Sequence, residues 1–273
     1  TRALLAVLVG AALGVAGVII QAVVRNPLAE PGLIGINAGA ALAATVFIVL
    51  LKDLPDTWLP WAGFGGAMMA SVAVYALSWR NGSSSLRLIL IGIGLSAVLG
   101  GATTLLTTFA PIGEAQRALI WLSGSVYLAD WGSVTSLGLW LWAPFLLTLL
   151  AARELDLIRF ETETARSLGQ RVEIVRGMLI ILSALICGAA VAVAGPISFV
   201  GLIAPHVARR LVGPHHIVLL PVGALVGSAL FVAADLIGRT VIAPAQLPAG
   251  LVTALIGAPF FGWLLWRGRH VAT

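Results

Sequence analysis

RELDLIRFETETARSLGQRVEIVR, Arg153–Arg176, holds ten charged side chains: Arg153, Glu154, Asp156, Arg159, Glu161, Glu163, Arg166, Arg171, Glu173 and Arg176. The whole chain has only 16 basic and 11 acidic residues. On both sides of this stretch the sequence is almost uniformly apolar. So much charge cannot sit in lipid, where an ionised group is costly unless it finds a partner or water. The stretch therefore reads as a water-exposed connection between membrane spans, and as the largest one in the protein.

Working outward, 60% of residues are hydrophobic and 10% charged, with a mean hydropathy of +1.05. A soluble domain carries about 25% charged residues, so the composition is that of a polytopic membrane protein. The 31 glycines fit a bundle whose helices approach closely, because lipid gives apolar helices no hydrophobic reason to associate. Glycines four apart recur at Gly10 and Gly14, Gly35 and Gly39, and Gly223 and Gly227. A net charge of +5 invites a nucleic-acid reading. Here the basic residues flank apolar spans, which membrane orientation explains better. Cys187, the only cysteine, excludes disulfide scaffolds and cysteine metal sites.

A spanning helix needs about 20 apolar residues, and eight runs qualify: 3–24, 33–51, 59–79, 86–109, 134–152, 174–195, 217–238 and 247–266. A ninth, 196–212, is short and carries Pro205, His206, Arg209 and Arg210. With nine spans, one side receives Arg25, Arg80, Arg87, the five arginines of the charged stretch, Arg209, Arg210, Arg267 and Arg269. The other receives only Arg2, Lys52, Arg117 and Arg239. The basic excess marks the cytoplasmic side, and omitting the ninth span destroys the asymmetry. The expected fold is all-α, a membrane bundle of about nine helices, with the charged stretch and the C-terminus in the cytoplasm. Residues 1–273 read as a single transmembrane domain. The chain opens with Thr1, nearly inside a span and without a signal-peptide layout, so a further N-terminal piece is expected upstream.

On the outer side, residues 110–133 are the longest connection. Trp121, Tyr127 and Trp131 suit the headgroup level, and the segment reads either as a short interfacial helix or as an ordinary surface loop. No P-loop is present, since its lysine must reach phosphates and the sole lysine, Lys52, has no such context. Asp235 is the only carboxylate well inside an apolar run. It precedes Arg239 by four residues, the spacing that brings helical side chains together. A structural ion pair and a transport role are both open, with the pair preferred. His215 and His216 are neighbours and point apart on a helix, so they read as turn residues rather than metal ligands. His206 follows Pro205 at an expected helix break and is assigned to a local backbone group. His270 completes the set. No cofactor or metal site is expected.

Within the charged stretch, Glu161–Leu168 has good helix formers and ends at Gly169, a helix-stop signal. Ala165 and Gly169 then share a face one turn apart, with Leu168 beside them. Such a helix seats in the groove of a soluble partner or serves as a solvated connector.

Four segments carry a family resemblance: RNPLAEPGLIGINAGA (Arg25–Ala40), ALIWLSGS (Ala118–Ser125), GPISFVGLIAPHVARR (Gly195–Arg210) and LPAGLVTALIGAPFFGWLL (Leu247–Leu265). In order and over the whole chain, the sequence resembles the FecCD-type permeases, membrane subunits of ABC importers for ferric siderophores, haem and cobalamin. The resemblance implies ten spans in the complete fold, so the first helix is expected to be absent from this chain. It implies a homodimer or a paired related permease in the bacterial inner membrane, with the cargo path at the interface. Cytoplasmic ABC ATPase subunits would dock on Glu161, Glu163, Ala165, Leu168 and Gly169. An external substrate-binding protein would deliver cargo, its glutamates meeting Arg2 and Arg239. That role for Arg239 competes with its pairing to Asp235. The 25–40 and 118–125 motifs resemble the ferric-dicitrate branch, which favours a ferric siderophore over haem or cobalamin. The chain itself does no bond chemistry, and alternating access is expected. An ion-coupled secondary transporter would need midplane acids in repeated halves, and a membrane enzyme would need clustered His, Asp or Glu.

Overall fold

The computed structural model describes residues 1–80, 82 and 84–268. Arg269 and His270 lie outside the described residues, as does the side chain of Arg267. The described residues are helical throughout, with short connections and no strand. The helices are α1 (Arg2–Val24), α2 (Ile36–Leu50), α3 (Leu59–Ser78), α4 (Ser85–Phe109), α5 (Ile112–Leu122) and α6 (Trp131–Leu150). They continue with α7 (Ala152–Ile158), α8 (Thr162–Ser167), α9 (Val172–Ala194), α10 (Val200–Val212), α11 (His216–Thr240) and α12 (Ala249–Gly268).

Among the described residues six helices are long and apolar enough to cross a membrane: α1, α4, α6, α9, α11 and the Asp56–Ser78 stretch containing α3. Two shorter apolar helices, Ile36–Leu50 and Ala249–Leu264, accompany them. A helix that is apolar on every side belongs in the interior, and α1 shows this directly. Every residue from Val9 to Val24 is buried, enclosed by α9, α10 and α11. At the opposite extreme, α4 buries only Leu88, Gly92 and Thr103 and lies at the edge of the bundle.

Local chemistry sets several ends. Arg25 closes α1 in the left-handed conformation, φ 54°, where Asn26 N–H reaches back to the Gln21 carbonyl and satisfies an orphan acceptor. Asp130 caps α6 by accepting Ser133 N–H at 2.8 Å, the usual use of an aspartate at that position. The 110–133 connection does contain a separate helix, α5, and Arg117 on it pairs with Asp56 in the connection between α2 and α3.

The 196–212 run differs from the sequence expectation. Its helix starts only at Val200 and is 13 residues long, about 20 Å, short for a span. Gly195–Phe199 runs non-helically before it, so the chain still travels from Ala194, bonded to Ser125 N–H, back to the turn at Gly213. Pro205 lies inside α10 rather than at a break, and Gly201, one turn before it, packs its carbonyl closely against Gly17 of α1.

The charged stretch is not a free loop. It folds as α7 and α8 and then the first turns of α9, with Leu155, Ile158 and Ala165 fully buried. Arg176, expected in water, is 2% exposed and lies 3.5 Å from Glu173. An apolar face on each short helix seats the segment on the bundle and leaves its charged face outside.

Candidate functional site

Two polar clusters form at opposite ends of α1 and α11. At one end, Asp235 is 2% exposed and is met from two directions. Arg2 donates through Nε to both carboxylate oxygens, at 3.0 and 3.1 Å, and through Nη2 to Oδ1 at 2.7 Å. Arg2 also donates through Nη1 to Gln246 Oε1 at 2.8 Å, and its guanidinium lies 5.5 Å from the centre of the Tyr127 ring. Arg239, one turn along α11, brings Nε to 3.3 Å from Asp235 Oδ2. The ion pair read from the i, i+4 spacing is therefore present, but Arg2 is the stronger partner. Arg2 is 19% exposed and Arg239 39%. Two guanidinium groups around one carboxylate leave an excess positive charge at a partly open surface. Nothing in the sequence links residues 2 and 235. Only the packing of α1 on α11 brings them together.

At the other end stand α7, α8 and the start of α11. α8 stops because Gly169, φ 88°, adopts a conformation that glycine accepts without strain. Gln170 then turns back, its N–H reaching the Ala165 carbonyl and its side chain donating to Glu154 Oε2 at 2.7 Å and the Glu154 carbonyl at 2.9 Å. Of the five residues expected at a partner surface, Ala165 is fully buried and seats the helix on its own bundle. That removes it from the outward face. Leu168 is 55% exposed, a side chain added at Gly169 would meet open space, and Glu161 and Glu163 flank them.

His216 is not a solvated turn residue. It is buried, with Nδ1 2.6 Å from Asp156 Oδ1, and its backbone N–H donates to the same oxygen at 3.1 Å. Asp156 of α7 thus caps the start of α11. His206 makes no bond to a local backbone group. Its ring meets Phe260 edge-on at 5.8 Å.

Sequence reasoning missed Glu30. This half-buried carboxyl stands between α1 and α2 and accepts Phe199 N–H at 3.0 Å. Burial pushes its pKa up, and the bond from Phe199 only partly opposes the shift. Phe199 holds a left-handed backbone, φ 70°, at the N-terminus of α10. Asn37 Nδ2 adds a contact to the Ile197 carbonyl at 3.3 Å. The signal was its place within the Arg25–Ala40 motif, flanked by Pro31. Among the described residues no group of three or more His, Cys, Asp or Glu is placed to hold a metal ion.

Residues 1–267 match the model of the FecCD transport family. The chain belongs to that family. It is 44% identical over 272 residues to the achromobactin transport system permease protein CbrC of Dickeya dadantii, covering 98% of this chain and 77% of that one. The iron(3+)-hydroxamate import system permease protein FhuG of Bacillus subtilis is 40% identical, over 98% and 82% of the two chains. The hemin transport system permease protein HmuU of Yersinia pestis is 41% identical over the same shares. A solved metal-chelate type ABC transporter in an inward-facing conformation superposes with a TM-score of 0.84 at 33% identity, over 97% of this chain and 86% of that chain. A FecCD permease is a multi-pass transport subunit and not an enzyme. Its class works with ATPase and binding-protein partners in a dimeric arrangement.

Proposed function

We propose that this chain is the permease of an ABC importer that carries a ferric siderophore into the bacterial cytoplasm by alternating access. The observation that carries the reading is the match over nearly the whole chain to permeases named for achromobactin and for iron(3+)-hydroxamate. A haem cargo is the second reading, favoured by the 41% identity to the hemin permease. In this proposal α7, α8 and the C-terminus face the cytoplasm. An ABC ATPase seats against Glu161, Glu163, Leu168 and Gly169, with Ala165 anchoring the helix from behind. The short α8, held at both ends and bare at its tip, is suited to receive a push. Arg2 and Arg239, carrying more positive charge than Asp235 neutralises, receive acidic side chains of an external binding protein. The exposed flank of α4 meets a second permease, and the single permease domain moves as one half of that dimer.

The test is purification of the full-length protein in mild detergent, followed by reconstitution and uptake of iron-55 chelates. We expect an ATPase at one copy per permease and ATP-dependent uptake of a siderophore chelate in preference to haem. A solitary protein that transports without ATP would overturn the assignment. Arg239→Glu should weaken binding-protein docking, and a glutamate-to-arginine change on the binding protein should restore it.

A further inference from the structure

The two candidate docks are fastened to the same pair of helices. α1 runs 23 residues from Arg2 and α11 runs 25 residues from His216 to Thr240, each about 35 Å long at 1.5 Å per residue. They cross backbone to backbone. A methyl group at Gly10 would strike the Gly227 carbonyl, and one at Gly14 the Gly223 carbonyl. Ser228 Oγ donates to the Val7 carbonyl at 2.8 Å. With no layer of flexible side chains between them at these points, the helices cannot slide past each other cheaply.

Each helix of the pair is tied to the charged segment at one end. Arg25, just past α1, donates through Nε to the Ile158 carbonyl at 2.9 Å and through Nη2 to Thr162 Oγ1 at 3.3 Å. His216, opening α11, is held by Asp156 through both its ring and its backbone. Arg159 adds a bond to the Pro214 carbonyl at 3.0 Å. At the far end the same two helices carry Arg2, Asp235 and Arg239, joined into one cluster. α9 also leaves the charged segment, but its far end meets Ser125 instead.

We infer that the α1–α11 pair is the mechanical link between the ATPase dock and the binding-protein dock, with Asp156 and His216 as its positioning residues. The inference rests on the function proposed above. Movement of α7 and α8 is delivered to Arg25 and His216 and appears at the arginine cluster. Binding at that cluster biases α8 by the same coupling, because linkage between two sites is reciprocal.

The permease is reconstituted with its ATPase and its cargo-loaded binding protein, and ATP hydrolysis is measured with and without the binding protein. Asp156→Ala should cut the stimulation by about fivefold or more, the lower end of ordinary allosteric coupling. Basal hydrolysis and binding-protein affinity should stay within about twofold. Asp156→Asn keeps an oxygen for the His216 N–H and should retain most of the stimulation. If Asp156→Ala does not assemble, Arg159→Gln, which removes the exposed bond to Pro214 and one positive charge near His216, should lower stimulation in the same direction. Full stimulation in the assembled variant overturns the link. A parallel fall of basal and stimulated rates also overturns it, since that marks a merely structural role. Wild-type protein that recruits no ATPase, or shows no stimulation, instead defeats the proposed function and the link with it.

Discussion

Asp235 is a buried carboxylate met by two arginines, Arg2 and Arg239. Burying a charge is tolerable only when it is paired and hydrogen-bonded, and Arg2 supplies most of that pairing. Asp235→Asn should cost about 3 kcal/mol of stability, in the range for breaking a buried pair, measured as loss of folded protein in a detergent thermal scan. Arg239→Gln should cost below about 1 kcal/mol, because that arginine is far more exposed. Normal assembly with abolished transport in Asp235→Asn would assign the carboxylate to the transport path instead. Glu30 makes a second residue-scale prediction. Its folded-state pKa is raised by burial, so the folded state holds the proton more tightly than the unfolded chain. Stability should then fall as pH climbs from the ordinary glutamate value through the raised one. Glu30→Gln keeps an acceptor for Phe199 N–H and should flatten that dependence, melting higher than wild type at pH 8 and similarly at pH 4.

At the scale of elements, the glycine crossing and the glycine stop respond differently to the same kind of change. Gly14→Ala places a methyl against the Gly223 carbonyl and should cost about 2–3 kcal/mol, as overpacking does, visible in unfolding yield. At Gly169 the surroundings are open, so Gly169→Arg should leave the dimer folded, with about 1 kcal/mol of backbone strain. ATP-driven uptake should nonetheless be lost, and unchanged uptake would count against the α8 dock. Long apolar runs were legible in the sequence: 86–109 is α4 at Ser85–Phe109 and 217–238 is α11 at His216–Thr240. The starts of α2 and α10 were not. A composition window sees apolar residues at 33–35 and 196–199, but there the backbone leaves the helix. At 33–35 the chain bonds locally, Gly35 N–H to the Gly32 carbonyl, while Glu30 and Asn37 satisfy Phe199 N–H and the Ile197 carbonyl across 160 residues or more of sequence. The same blind spot left α7 inside a water-exposed connection, since Leu155 and Ile158 look incidental among charges until α1 and α11 cover them.

For the molecule as a whole, the all-helical membrane class was readable because it follows from summed hydropathy and charge. The sites were only half readable. Arg239 and Asp235 announce themselves by spacing within one helix. Arg2 and His216 acquire their meaning from helices far apart in the chain, a relation that no local pattern contains. The four quoted motifs show why they were informative without being interpretable. Gly124 closes on Pro196, Gly250 N–H donates to the Gly124 carbonyl, and Pro31 packs against Gly201. They are the places where loops and helix starts from distant segments must fit together.

The contact between Arg2 and Asp235, 233 residues apart, also has a bearing on how the protein is made. At synthesis rates of about 5–20 residues per second, the carboxylate follows the arginine by roughly 10–50 s. Throughout that interval α1 waits in the bilayer without α11, tolerably, since it is apolar on every side. Insertion and tertiary closure are thus separated in time. A nascent chain interrupted before α11 would expose an unclosed α1 to the membrane's quality-control proteases.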